Sequence, residues 1–108
     1  MNKRVTVTFA SALLLAAGYS FAGGDATAGK QKSAVCAACH GADGNSATPD
    51  FPRLAGQQLD YLVKTLSDYK AGARKDPIMG ATAAGLSKQD MEDLAAYFST
   101  QSGLVVKY

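Results

Sequence analysis

The sequence predicts an all-α fold: one small domain of a few helices and long loops wrapped around a large apolar guest. Three observations lead there. Alternating apolar and polar runs of the kind a half-buried strand needs are nearly absent. Two segments carry apolar residues at helical spacing: Leu59, Leu62, Val63, Leu66 and Tyr69 in one, and Met91, Leu94, Ala95 and Phe98 in the other. The connecting stretches 41–56 and 73–86 are long for so small a domain unless they line something.

The first residues predict export. Lys3 and Arg4 make a basic start, the nine-residue run Phe9–Ala17 is apolar, and Ser20-Phe21-Ala22 is a small-x-small cleavage pattern. Nine residues fall well short of the roughly 20 that a membrane-spanning helix requires. No cysteine stands near the cut, so a lipid anchor has no attachment point there. Residues 1–22 are therefore expected to be a cleaved signal peptide and residues 23–108 the working domain. The leader takes Lys3 and Arg4 with it, and the 11 basic against 9 acidic residues of the whole chain become equal numbers. A neutral domain gives no footprint for nucleic acid.

Within that domain Asp25 is a plausible N-cap for a helix, ATAGKQKSAV, that runs into the cysteines. Residues 41–56 are rich in Gly, Pro, Asn and Asp and are expected to form a loop. The helix of Leu59 to Tyr69 finds a natural stop at Gly72. A second loop, 73–86, follows. Ser87 opens Ser-Lys-Gln-Asp, a capping box for the last helix, which Gly103 is expected to end. The short apolar tail Leu104–Tyr108 has no assigned place.

Chemistry concentrates in one stretch, VCAACHGADG (35–44). It holds both cysteines of the chain, Cys36 and Cys39, and its single histidine, His40. C-x-x-C-H is the attachment pattern for c-type haem. Each thiol adds to one vinyl group of the porphyrin, and the following imidazole ligates the iron from the same face. Two rivals fit less well. A thioredoxin-like thiol pair needs strands for a βαβ fold, and none can be found. A zinc site wants four Cys or His ligands, whereas the chain offers three.

One imidazole cannot fill both axial positions, so the second ligand is expected to be methionine. Met79 and Met91 remain after the leader. Met91 sits on the apolar face of a capped helix and fits a core position. Met79, between Pro77-Ile78 and Gly80 in the second loop, is the candidate iron ligand. A six-coordinate iron offers no open site to a substrate, so electron passing is expected rather than enzymatic catalysis.

Taken together, these residues make the sequence resemble a class I cytochrome c, and most closely one half of the two-haem bacterial cytochromes of the c-four group. The matching segments are VCAACHGADGNSA, FPRLAGQ, the Met79 loop and LSKQDMEDLAAYF, which cover most of residues 25–102. The c-four proteins carry two such domains in tandem. This chain has one motif, so haem-to-haem transfer within a chain is not carried over. The resemblance implies the class I cytochrome c fold around one covalent haem c. It also implies that Pro52, twelve residues after His40, offers its carbonyl to the other imidazole nitrogen, although an ordinary loop turn would explain Pro52 as well. Arg53, Tyr61 and Tyr69 are candidate haem-propionate contacts, and each equally fits a surface or core position. The first and last helices are expected to cross closely, Gly29 meeting Tyr97-Phe98.

The expected function is that of a soluble, monomeric periplasmic electron carrier, working between membrane or periplasmic redox proteins and lacking a transmembrane anchor. The alternative is the cytochrome subunit of a larger periplasmic oxidoreductase such as a flavoprotein dehydrogenase. A five-coordinate haem sensor or peroxidase would require that Met79 not bind. The basic segment Lys64, Lys70, Arg74, Lys75 and the acidic segment Asp90, Glu92, Asp93 are expected to be solvated faces.

Overall fold

The computed structural model describes residues 24–103, together with Thr6; the rest of the expected leader, 1–22, and the tail Leu104–Tyr108 lie outside the described residues. Those residues form helices and no strands: α1 (Ala26–Lys32), α2 (Ala34–His40), α3 (Leu59–Ala71), α4 (Pro77–Ala84) and α5 (Lys88–Ser99). None is long and apolar enough to cross a membrane.

The caps behave as local chemistry requires. The Asp25 side chain accepts from the Thr27 amide, and Ser87 and Asp90 complete a reciprocal capping box. Three boundaries depart from the sequence expectation. The first helix is not continuous: at Ser33 both the amide and Oγ turn back to the Lys30 carbonyl, and the chain restarts as α2. Residues 73–86 are not all loop, because Asp76 caps a helix that begins at Pro77. Proline suits a first helical turn, where no amide is needed, and the alanines after it sustain the helix despite Gly80. The last helix ends at Ser99 with Thr100 as its cap, short of Gly103.

Packing centres on α5, which lies against both α1 and α3, while α4 packs on α3 and α2 on α1. Leu62, Leu94, Ala95, Tyr97 and Phe98 form the buried cluster, and Leu54, Leu59, Val63, Leu66, Leu86 and Cys36 pack around it. At the α1–α5 crossing the backbones almost touch. A Cβ on Gly29 would lie 1.9 Å from the Asp93 carbonyl oxygen and 2.8 Å from the Tyr97 Cβ, so glycine is required there.

The same crossing buries a carboxylate. Asp93 is 2% exposed, which corrects its expected place on a solvated face. Its oxygens accept from the Asp25 amide at 2.8 Å, Lys32 Nζ at 2.6 Å and Gln89 Nε2 at 2.8 Å. Burial pushes this carboxyl up, but those three donors outweigh it and hold it below the usual range. Lys32 also reaches Asp90 at 2.9 Å. The Ser87 amide, Lys32 and the Ser87 hydroxyl together bring Asp90 down to about 2.

Loop 41–56 is knitted onto α5. Tyr97 Oη donates to the Ala42 carbonyl at 2.8 Å, the Gly56 amide donates to the Phe98 carbonyl at 2.9 Å, and the Leu54 amide donates to the Gly44 carbonyl at 2.8 Å. Asn45 Nδ2 donates to the Ser102 carbonyl at 2.8 Å.

Two outcomes follow from the crossing. Gly29→Ala forces α1 and α5 apart and lowers stability by about 3 kcal/mol, read as a reduced urea midpoint. The depressed carboxyls contribute stability above an unfolded pKa of about 4 and lose it as pH falls toward about 2. The melting temperature therefore drops across that window, and Asp93→Asn flattens the slope; an unchanged slope would contradict the buried clamp.

Candidate functional site

A cleft of about 400 Å³ opens between α2 and α4 and is floored by α3 and α5. Cys36, Cys39 and His40 reach it from α2, Met79 and Ile78 from α4, Leu62, Leu66 and Tyr69 from α3, and Leu94 and Phe98 from α5. The helical turn of α2 sets the spacing of its three groups: Cys36 and Cys39 are three residues apart and fall on one face, and His40 follows on the next step of the same turn.

His40 is buried, at 6% exposure, and its Nδ1 lies 2.8 Å from the Pro52 carbonyl oxygen. A carbonyl only accepts, so Nδ1 carries the proton and the Nε2 lone pair is left for a metal. The Phe51 ring meets the imidazole edge-on at 6.4 Å between centroids. Cys36 packs against the core, and burial pushes its thiol up. That is the opposite of the depressed thiolate a thiol-exchange centre needs.

Met79 does not stand in a loop but in the first turn of α4. Asp76 Oδ1 accepts from the amides of both Ile78 and Met79 at 2.9 Å, which anchors the methionine backbone at the cleft wall. Met91 is 6% exposed, its sulfur 3.9 Å from Ser67 Oγ, and it takes no part in lining the cleft. Arg53, Tyr61 and Tyr69 all line the cleft. Among the lining residues that sequence reasoning did not assign to the site are Asp76 and Arg74. An Asp-Pro pair opening an alanine-rich run was the available signal for Asp76 as a cap. No local pattern marked Arg74.

The donor set fits a covalently tethered haem. Two thiols, an imidazole with one nitrogen already engaged and a thioether border one largely apolar space, and Arg53 and Arg74 stand on its wall. The cytochrome c family model matches residues 26–102. Cytochrome c4 of Stutzerimonas stutzeri is 53% identical over 97 residues, covering 82% of this chain and 46% of the relative. Cytochrome c-554(548) of Halomonas halodenitrificans is 44% identical over 81 residues, covering 72% of this chain and 98% of the relative. Among solved structures, reduced recombinant cytochrome c4 from Pseudomonas stutzeri superposes with a TM-score of 0.72 at 54% identity, over 76% of this chain and 48% of that one. The chain thus spans about half the length of the cytochrome c4 relatives. Their likeness assigns the class I cytochrome c fold and, with the Cys36–Cys39 spacing, one covalent haem c.

Cys36→Ala and Cys39→Ala are each expected to keep a single thioether and a shifted reduced spectrum. The double variant is expected to release all of its haem into acidified acetone, a separation read directly by absorbance of the two phases.

Proposed function

This chain belongs to the cytochrome c family, and on that footing we propose that it is a single-electron carrier whose iron is ligated by His40 and Met79, with thioethers from Cys36 and Cys39. The observation that carries the proposal is the cleft that gathers both thiols, the imidazole and the Met79 thioether from two separate helices. Bound there, the haem supplies a one-electron iron couple. Everything else is work for the chain. The Pro52 carbonyl orients His40 and strengthens it as a donor. The soft Met79 sulfur favours the lower oxidation state and so raises the potential. Leu62, Leu66, Leu94 and Phe98 keep water from the cleft floor, which lowers the local dielectric and favours the less charged state.

If His40 and Met79 both held the iron, they would leave no open position for a substrate, which supports carriage over catalysis. The basic start, apolar run and small-x-small pattern of residues 1–22 support export to the periplasm with cleavage after Ala22. Its partners are redox proteins that donate and accept single electrons. The neighbouring charge runs are largely spent internally: Lys64 pairs with Asp68 at 2.7 Å, and Asp93 is buried against Lys32.

Met79→Ala is the direct test. The matured variant keeps its covalent haem, loses the far-red sulfur-to-iron band and favours the oxidised form by roughly tenfold or more against a fixed mediator. Persistence of the band would remove Met79 as ligand. Purification of the wild type in constant ratio with a flavoprotein, in place of a monomer, would make it a subunit and not a free carrier.

A further inference from the structure

Loop 41–56 carries a large aromatic side chain that the core does not use. Phe51 is half-buried, and among the described residues the apolar cluster of α3 and α5 is built from other side chains. Its ring instead meets the His40 imidazole in a T-shaped pair, 6.4 Å between centroids and 67° between planes. The next residue, Pro52, gives its carbonyl oxygen to Nδ1 of the same imidazole at 2.8 Å. Two consecutive loop residues therefore address one side chain, one by its ring and the other by its backbone. A residue before proline is kept out of the helical region, which narrows the directions open to the Phe51 ring.

What lies on the other side of that ring gives it a task. A second cavity, of about 390 Å³ and more open to solvent than the cleft, runs along the same loop. Phe51, Pro52 and Arg53 wall both spaces, whereas His40 borders the cleft alone. The far wall of the second cavity is a tight turn: the buried Ser46 Oγ donates to the Thr48 carbonyl at 2.7 Å and accepts from the Thr48 amide at 3.3 Å. The loop is closed behind it by the Leu54 and Ala55 amides, which both donate to the Gly44 carbonyl. Phe51 thus stands in a fixed partition between an open cavity and the imidazole. A hydrogen bond is worth little net where water competes for its donor and acceptor, and more where water is shut out.

We infer that Phe51 is a positioning residue for His40: its ring closes the Nδ1–Pro52 hydrogen bond to water from the second cavity and so holds the imidazole in one orientation. The inference rests on the proposal that His40 ligates the iron, since an imidazole turned by competing water would carry its Nε2 off the axis of the metal.

The test follows the His40 Nδ1 proton of the reduced, matured holoprotein by proton NMR and measures its exchange with water by saturation transfer. Phe51→Ala raises the exchange rate by roughly tenfold or more, the scale of an aromatic pair lost at a closed site. Phe51→Tyr restores the ring and stays within about twofold of wild type. Phe51→Leu keeps apolar bulk without the ring and falls between; it also carries the test if Phe51→Ala does not mature. Leu86→Ala is the control for lost packing, because Leu86 packs on the apolar cluster and lines neither cavity. It lowers the urea midpoint and leaves the exchange rate within about twofold. A rate in Phe51→Ala no higher than in Leu86→Ala overturns the assignment. So does a Phe51→Tyr rate as fast as that of Phe51→Ala, because the ring would then be no barrier. The far-red band of the wild type depends on Met79 and not on Phe51, so it separates failure of the carrier proposal from failure of this one.

Discussion

The contact on which the rest of the structure depends is the crossing of α1 and α5 at Gly29. Two backbones approach to a distance that no side chain permits, and they do so beside a carboxylate buried with its charge. A buried ion is costly unless its lone pairs are met, and Asp93 finds its donors on both sides of the crossing: Asp25 and Lys32 from α1, Gln89 from α5. Those hydrogen bonds set the register of one helix on the other. Because α2 follows α1 through the turn at Ser33, the same register decides where Cys36, Cys39 and His40 stand relative to Leu94 and Phe98.

The cleft is built by a division of labour. Helices α1, α3 and α5 form a scaffold whose core is continuous, and the site is hung on it by short connections. Loop 41–56 is tied to α5 through Tyr97 and Phe98 and to Ser102 just beyond it through Asn45, which brings the Pro52 carbonyl back to the imidazole twelve residues before it. Helix α4 is tied to the scaffold chiefly through α3 and positions Met79 by the Asp76 cap. A small domain with few large apolar residues can afford so open a centre only because the family to which it belongs fills it with a covalent haem.

Charge is used in two different ways at the crossing and at the cleft. On the scaffold, Asp93, Lys32 and Asp90 compensate one another and contribute to stability between their perturbed titrations. At the cleft, Arg74 lies over the Tyr69 ring and beside the Tyr61 hydroxyl, and among the described residues it enters no ion pair. Both lay hidden in what the sequence presents as plain basic and acidic runs.

How much was legible follows from the range over which each feature is determined. The all-helical class, the amphipathic faces of α3 and α5, the Ser87 capping box and the CAACH cluster are properties of a few consecutive residues, and the sequence by itself determined them. Gly29 and Pro52 were legible only through likeness to a family. The burial of Asp93 and the meeting of Met79 with Cys36, Cys39 and His40 in one cleft were decided by the tertiary structure alone. Each depends on where a distant backbone lies: α1 across α5 for Asp93, and α4 on α3 for Met79. Periodicity and spacing report the neighbours a residue has along the chain, and these two residues owe their places to neighbours across it.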